Sequence, residues 1–385
     1  MKKLLGSLLA VVLAAGLLAG CGNSSAETTT EAPATTTAAQ TTTAAAESEE
    51  DTQAEETTEE ETEPEAKTFD VDAYTFRANC GAVEGEELYS LFVYFKDALE
   101  EASNGAMTFS IYADNGYRDS VALDDILNDN VDIVYLSSSS SCTTVTDLAY
   151  MATYGAFNYV DGYDDTQSLL SFYDATADLV DSIFNDYNMH FLNFRNPGYA
   201  VIASKGVLVK TPSDLNGKLL RVAGNWPGKL CEIQGIATAT VKITEIATAI
   251  QRGTVDAALS GDAQCRDLMF YEVSDYITVF PEADQVGSLV INLNTYNSLS
   301  KEQQECLDYA AYQAMKTAVS DRAKVYEECR DLFESGCEVY MLTEEECEEW
   351  TSAIPALYEA IDETTTEKGK ALRDAIIKWR EDNDL

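Results

Sequence analysis

Apolar residues early in the folded part of the chain follow strand and helix periods in turn. Alternation predicts strands at 75–78 and 107–113. Between them, the apolar residues of 88–99 recur at helical spacing, and a second helical pattern covers 121–127. A continuous apolar run at 131–136 predicts a buried strand. This β-α-β-α-β series predicts a largely parallel sheet with helices on its faces.

The same order of elements returns after residue 198. The predicted strands cover 199–204, 219–223, 240–242 and 255–259, and the predicted helices cover 226–234 and 244–251. Two α/β halves predict an α/β fold of two lobes with mainly parallel sheets. A ligand cleft is expected between the lobes, because ligands bind beyond the carboxyl ends of parallel strands. We expect lobe I to comprise 68–197 and about 286–325, and lobe II 198–285 and about 326–385.

A long helical pattern begins after Ser300. Ser300 and Gln303 have the spacing of a capping box, and an apolar stripe follows from Leu307 to Val319. The pattern continues to Gly336, a residue typical of helix C-termini. We expect one long helix that spans both lobes, and two shorter helices are the alternative.

The N-terminal segment has a different composition. Lys2 and Lys3 precede a short apolar run, which ends in small residues before Cys21. This arrangement predicts a secretory signal peptide at 1–20. The run is shorter than the about 20 apolar residues of a transmembrane helix. The exit sequence Leu-Ala-Gly-Cys resembles the bacterial lipoprotein processing box, in which the cysteine becomes the lipid-bearing N-terminus; an ordinary signal peptide followed by a chance cysteine is the alternative.

Residues 21–67 predict a disordered tether behind the lipidated Cys21. After the cysteine the segment consists mainly of Ser, Thr, Ala and Glu, without aromatic residues, Val, Ile or Leu. Such a chain cannot bury enough apolar area to offset the entropy of ordering. We therefore expect an extracytoplasmic protein that is lipid-anchored to the outer face of the cell membrane, or in the periplasm.

The charge and the content of histidine and cysteine indicate which kinds of site and partner are to be expected. The formal net charge is −42, so no basic face for nucleic acid is expected. His190 is the sole histidine and no C-x-x-C occurs, so we expect neither a metal site nor a cofactor. The eight cysteines after Cys21 leave open whether they are free and buried or form one or two disulfides. No nucleophile elbow, phosphate loop or His-based acid–base pair is present, so we expect no enzyme.

Four sequence blocks, in order, resemble the extracytoplasmic solute-binding proteins of TRAP transporters, the dicarboxylate-type family. The blocks are 210–222 (KTPSDLNGKLLRV), 241–256 (VKITEIATAIQRGTVD), 271–276 (YEVSDY) and 298–304 (SLSKEQQ). The resemblance covers about residues 70–385. It implies a periplasmic-binding-protein-like fold and a hinged receptor that captures a small organic acid and delivers it to an ion-gradient-driven permease. The alternatives are a solute-binding lipoprotein of an ATP-driven importer and a cell-surface hydrolase.

The resemblance also implies ligand-binding residues. In the family, the arginine of the first block pairs with a ligand carboxylate, and this position is Arg221. A guanidinium matches a carboxylate through two parallel hydrogen bonds; a salt bridge to Asp214 is the alternative. Asn79 lies where family members place an asparagine near the ligand, with a turn-forming role as the alternative.

This chain departs from the family pattern where a second arginine is often found. The segment 198–201 (Gly-Tyr-Ala-Val) lacks that arginine, and the loop 137–141 consists of five serines. We therefore expect a ligand with one anionic group and several hydroxyl or amide groups, rather than a compact dicarboxylate. The further candidate ligand-binding residues are Ser137, Ser140, Asp119, Asn225, Trp226, Tyr199 and Ser260.

Overall fold

The computed structural model describes residues 67–385, apart from 115, 118–119, 154–166, 196–197 and 284–285. Its strands, in chain order, are β1 (Tyr74–Cys80), β2 (Met107–Ala113), β3 (Ile133–Leu136), β4 (Met189–Arg195), β5 (Tyr199–Ser204), β6 (Leu219–Arg221), β7 (Ala237–Ala239), β8 (Ala257–Gly261), β9 (Tyr276–Ala283), β10 (Gly287–Asn292) and β11 (Glu338–Met341). The predicted signal peptide, Cys21 and the predicted tether up to residue 66 lie outside the described residues.

Helices separate most of these strands. They are α1 (Glu87–Ala102), α2 (Ser120–Leu127), α3 (Ser138–Ser141), α4 (Gln167–Asn185), α5 (Asn225–Ile233), α6 (Ile246–Gln251), α7 (Asp262–Asp267), α8 (Leu293–Ser298), α9 (Lys301–Ser320), α10 (Arg322–Gly336), α11 (Glu344–Thr351), α12 (Ile354–Asp362) and α13 (Glu367–Asp382). Among the described residues, no helix is both long and apolar enough to cross a membrane.

The strands form two sheets. The first has the order β2-β1-β3-β10-β4, and the second has the order β11-β9-β5-β8-β6-β7. In the first sheet β10 runs antiparallel to both neighbours, and in the second sheet β5 does so. The other described pairs are parallel, which confirms the predicted α/β fold with mainly parallel sheets. Each antiparallel strand follows a passage of the chain from one sheet to the other.

Aromatic and aliphatic side chains from α1, the first sheet and α9 form one core. The predicted stripe on α1 is buried, and its Phe95 packs against Phe109 of β2 with ring centroids 5.3 Å apart. Burial of each such side chain stabilises the fold by about 1.5–3 kcal/mol. This packing fixes the position of the α1 N-terminus, where Glu87 is the first residue of the helix.

The helical pattern after Ser300 consists of two helices rather than one. Ser300 caps α9 as predicted: its Oγ accepts from the Gln303 N–H at 3.2 Å, and its own N–H donates to Gln303 Oε1 at 2.8 Å. The stretch reaches both sheets, because α9 packs against α1 and β4 while α10 packs against α7 and β11. It is divided at Asp321, whose carboxylate accepts from the Tyr94 hydroxyl of α1, and Arg322 then pairs with Asp262 of α7. These two contacts hold the two helices to different partners.

The C-terminal helix returns to the first sheet. On α13, Trp379 packs edge-on against Phe172 of α4 at 5.0 Å, and its Nε1 donates to Ser171 Oγ at 3.0 Å. Since α4 lies against β4, these residues of the predicted lobe II contact elements of the predicted lobe I. The boundaries of the lobes stay a prediction.

Two local expectations have definite outcomes. The strand predicted at 240–242 is wrong: β7 ends at Ala239, and the residues after it lead into the 3₁₀ turn Ile243–Glu245. The eight described cysteines are free thiols, and all but Cys337 are buried. The described part of the chain is therefore stabilised by its cores and not by disulfides.

A charged cluster around His190 joins β4 to two helices. Nδ1 of His190 lies 2.8 Å from Asp181 Oδ1 of α4, and Nε2 lies 3.2 Å from Asp308 Oδ1 of α9. The ring stacks on Tyr296, with the centroids 3.8 Å apart. Burial alone would lower the pKa of His190, but the two carboxylates outweigh it and raise the pKa to about 9.

This shift predicts a pH-dependent free energy of unfolding. Because the folded-state pKa lies above the unfolded value of 6.5, the stabilisation is complete below pH 6.5 and is lost as the pH rises through about 9. Relative to His190→Gln, the wild type should lose about 2 kcal/mol between pH 6 and pH 9.5 in urea titrations. Equal losses in both proteins would show that the cluster does not hold a charged imidazole.

Candidate functional site

A cavity of about 340 Å³ lies at the carboxyl ends of strands from both sheets. Tyr135 and Ser137 line it from the end of β3, and Arg195 from the end of β4. From the second sheet, Arg221 ends β6 and Ser260 lies near the end of β8. The cavity thus occupies the place where α/β sheets bind ligands, and both sheets contribute to its wall.

Arg221 is held in the cavity wall by main-chain oxygens. Its side chain is buried, with 5% of the residue exposed. Nε donates to the Val241 carbonyl at 3.0 Å, and Nη1 donates to the Leu259 carbonyl at 3.1 Å. Carbonyl oxygens orient a guanidinium without carrying a formal charge that would neutralise it. The arrangement suits a buried cation that faces an anionic ligand group.

Asp214, the alternative partner for Arg221, has a local structural role. Its carboxylate accepts the main-chain N–H groups of Lys210 and Thr211, each at 2.9 Å. These contacts cap the 3₁₀ turn Pro212–Leu215, which precedes β6. The capping box explains the Thr-Pro-Ser-Asp sequence at this position.

Hydroxyl groups form much of the remaining wall. Ser137 Oγ donates to Ser140 Oγ at 3.0 Å, which places both predicted serines at the N-terminus of α3. On the second sheet, Ser260 Oγ donates to Gln264 Oε1 at 2.8 Å. The other hydroxyl-bearing residues of the wall are Tyr117, Ser120, Tyr135, Ser139, Thr143 and Thr240. Such groups both donate and accept hydrogen bonds, so they suit a ligand rich in hydroxyl or amide groups.

Other predicted residues lie elsewhere. Tyr199 is buried and packs edge-on against Tyr326 at 5.1 Å. Asn225 and Trp226 line a second depression, between α5 and the segment after α3, which shares Thr143 with the first cavity. Asn79 lies in β1, close to the Tyr117 side chain, but is not among the residues that line the cavity. Asp119 lies outside the described residues.

Arg195 is a buried cation of the cavity wall that the sequence analysis did not name. Only 4% of it is exposed, and it lines the wall from the first sheet. Burial opposes its charge, but the adjacent Glu87 carboxylate more than offsets this, so the pKa of Arg195 lies above its ordinary value. An arginine that ends an apolar strand, in the segment MHFLNFR, was the available signal.

The arrangement is suited to binding. It combines buried guanidinium groups with neutral hydrogen-bonding groups in a cavity of small-ligand size. Among the described residues there is no group of three or more His, Cys, Asp or Glu side chains that could hold a metal ion.

Comparisons with known proteins agree with this architecture. The profile of the family described as "Bacterial extracellular solute-binding protein, family 7" matches residues 82–364. A solute-binding protein from Sulfitobacter sp. (strain NAS-14.1) is 24% identical over 213 residues, 54% of this chain; the chain spans 63% of the length of that relative.

Two solved structures share the fold. The periplasmic ectoine-binding protein of the TeaABC TRAP transporter of Halomonas elongata superposes with a TM-score of 0.71 at 19% identity, over 80% of this chain and 99% of that one. A TRAP periplasmic solute-binding protein from Roseobacter denitrificans with bound β-D-glucuronate superposes with a TM-score of 0.70 at 17% identity, over 80% and 99%. The similarity extends over nearly the whole length of each solved protein and over 80% of this chain.

The wall also requires a glycine at one position. Gly224 has a φ of +78°, and a Cβ there would lie 2.5 Å from the Ser139 carbonyl oxygen. We expect Gly224→Ala to lower the free energy of unfolding by about 2 kcal/mol, since the conformation is strained for any side chain and the two segments cannot approach as closely. Chemical denaturation measures this change.

Gly228→Ala is the matched control, because a Cβ there has its nearest atoms at 3.8 Å, within α5. It should leave stability unchanged or raise it by up to about 1 kcal/mol. Equal effects of the two substitutions would contradict the close approach at Gly224.

Proposed function

This chain belongs to family 7 of the bacterial extracellular solute-binding proteins, and we propose that it is the receptor of a TRAP-type transporter. It captures a small organic acid with one carboxylate group. It then delivers this ligand to a membrane permease that is driven by an ion gradient. Such a protein is a binding receptor and not an enzyme. Membership of this family favours a receptor for a TRAP transporter. It argues against the two alternatives, which are the binding protein of an ATP-driven importer and a cell-surface hydrolase.

The placement of Arg221 carries the proposal. It is the arginine at which the family pairs a ligand carboxylate, and its buried guanidinium lies in the wall of the cavity. The carbonyls of Val241 and Leu259 fix its orientation before any ligand arrives. A guanidinium group that is already held in place loses little conformational entropy when it binds a carboxylate. The contact therefore contributes to affinity and also fixes the orientation of the ligand.

The rest of the wall supports a ligand with hydroxyl or amide groups. Ser137, Ser140 and Ser260 offer side chains that donate and accept, from both sheets. The two structural relatives named above bind ectoine and β-D-glucuronate, each of which has a single carboxylate group. We expect this protein to bind a ligand of the same general class.

Ligand binding would tie the two sheets together. Arg221 belongs to the second sheet and the serines of α3 follow the first. A ligand that contacts both stabilises the closed arrangement over a more open one, which is a hinge motion selected by the ligand. Closure would then present a defined surface to the permease.

An Arg221 series tests the ligand contact. In a thermal-shift screen against a metabolite panel, carboxylates should raise the melting temperature of the parent, because binding at a concentration 100 times Kd stabilises by about 2.7 kcal/mol. Arg221→Ala should abolish this response, and Arg221→Lys should retain part of it, since lysine keeps the charge but not the fork.

The exposed Arg252 supplies the control, since Arg252→Ala makes the same charge change away from the cavity. A parent that responds only to neutral solutes, or an Arg221→Ala variant that responds as the parent does, would overturn the proposal.

The membrane attachment is part of the proposal as well. We expect Cys21 to carry lipid, with residues 22–67 as a flexible tether on the outside of the cell. In cells labelled with a radioactive fatty acid, the wild type should incorporate label and Cys21→Ser should not. Label in the variant would show that lipid is attached elsewhere, and absence of label in both would show an ordinary secreted protein.

A further inference from the structure

The second cavity arginine is paired with an acidic residue that does not itself line the cavity. Nε of Arg195 donates to Glu87 Oε2 at 2.8 Å, and Nη2 donates to the same oxygen. The side chains of Arg195 and Glu87 are 5% and 13% exposed, so solvent screens their attraction little. On the cavity side, the Arg195 guanidinium lies 5.6 Å from the centre of the Tyr135 ring.

Glu87 is fixed in this position by its backbone. It is the first residue of α1, where the helix dipole favours a negative charge. Its main-chain N–H donates to Asp267 Oδ2 of α7 at 2.9 Å, and Asp267 Oδ1 accepts from Arg266 Nε at 2.7 Å. The packing of α1 on its sheet holds the same end of the helix. These contacts fix the main chain of Glu87, from which its carboxylate reaches Arg195.

The pair changes the charge that a ligand meets. Arg195 and Arg221 both line the cavity, but the charge of Arg195 is offset by Glu87 directly behind it. Lys242, a further cation of the wall, is exposed, and its field is weakened by solvent. No Asp or Glu occurs among the described residues that line the cavity. A carboxylate behind the wall thus already neutralises the charge of Arg195, whereas main-chain carbonyls are among the contacts that orient Arg221.

We propose that Glu87 determines the charge class of the ligand: by pairing with Arg195 it cancels a second positive charge in the cavity, and so makes the receptor select monocarboxylates over dicarboxylates. This inference rests on the proposed function, since it concerns the same cavity. Arg195 still offers N–H groups to the ligand, but a second carboxylate there would have to compete with Glu87. A dicarboxylate would also leave one anionic group without a compensating buried charge, which is costly.

Glu87→Gln tests the inference on the mature chain. The substitution keeps the size of the side chain and the N–H contact to Asp267, and it removes the negative charge. Binding of gluconate and glucarate, which are open-chain acids of the same length that differ by one carboxylate, is measured by isothermal titration calorimetry, with butyrate and succinate as a second pair. The ratio of dicarboxylate to monocarboxylate affinity should rise about tenfold in the variant, as expected when a buried cation becomes available.

Glu84→Gln is the matched control, because Glu84 is exposed and lies three residues before Glu87 in the same segment. It makes the same change in net charge and should leave the ratio unchanged. The double variant Glu87→Gln/Arg195→Gln removes both charges and should return the ratio to within about threefold of the wild type. This double variant removes both members of the ion pair, so neither is left buried without the other, and it provides a test if the single variant does not fold.

An unchanged ratio in Glu87→Gln, or a raised ratio in the double variant, would overturn the inference. Either result is distinguishable from failure of the proposed function, in which the parent binds neither member of either pair and Arg221→Ala has no effect. A parent that already prefers the dicarboxylates would also overturn the inference while leaving the receptor function intact.

Discussion

A buried guanidinium at the end of β6 constrains the second sheet around it. Removing the charge of Arg221 from water is costly unless polar atoms replace the solvent. Here the carbonyls of Leu259, in β8, and Val241, after β7, do so. Val241 lies outside the sheet, because β7 ends at Ala239, and its carbonyl accepts from Arg221. The short strand is therefore compatible with this contact.

The two sheets are connected at places that lie close together. The chain passes between them before β5 and again between α9 and α10, and at this point Gly198 approaches the Arg322–Asp262 ion pair so closely that a Cβ would overlap the Arg322 guanidinium. Gly198 has a φ of +82°, so both its conformation and its surroundings demand glycine. Crossings packed against one another leave few residues to absorb a relative rotation of the sheets, which is the arrangement that a hinge requires.

Local signals in the sequence predicted part of the fold, although no strand was predicted at β4, β9, β10 or β11. The bounds of β2 and β5 and the cap at Ser300 follow from alternation and a capping box, which depend on near neighbours. The division at Asp321 depends on Tyr94, far away in sequence. Arg195 was missed for the same reason, because it reaches the cavity only when β4 pairs with β10.

Proximity in sequence to Arg221 was a poor guide to the site. Trp226 lies five residues after Arg221, but α5 begins between them and Trp226 lines the second depression instead. Tyr199 was predicted as a ligand contact because it flanks the Arg221 region, but it packs on Tyr326 of α10. Ser137 and Ser140, after β3, line the cavity, as residues at the carboxyl end of a strand are expected to do, and their contact with a ligand stays a prediction.

The acidity of the whole chain explains why the cavity needs buried cations. With a formal net charge of −42, the surface repels an approaching anion, although salt limits this repulsion to about 8–10 Å. The cavity must therefore attract an anionic ligand over a short distance. A buried cation can do this, because solvent weakens its charge less than that of an exposed one. Each buried cation then has a large effect on which anions bind. A partner such as Glu87, placed behind the wall and away from the ligand, adjusts that effect without narrowing the cavity, so charge selection and shape selection can be set by different residues.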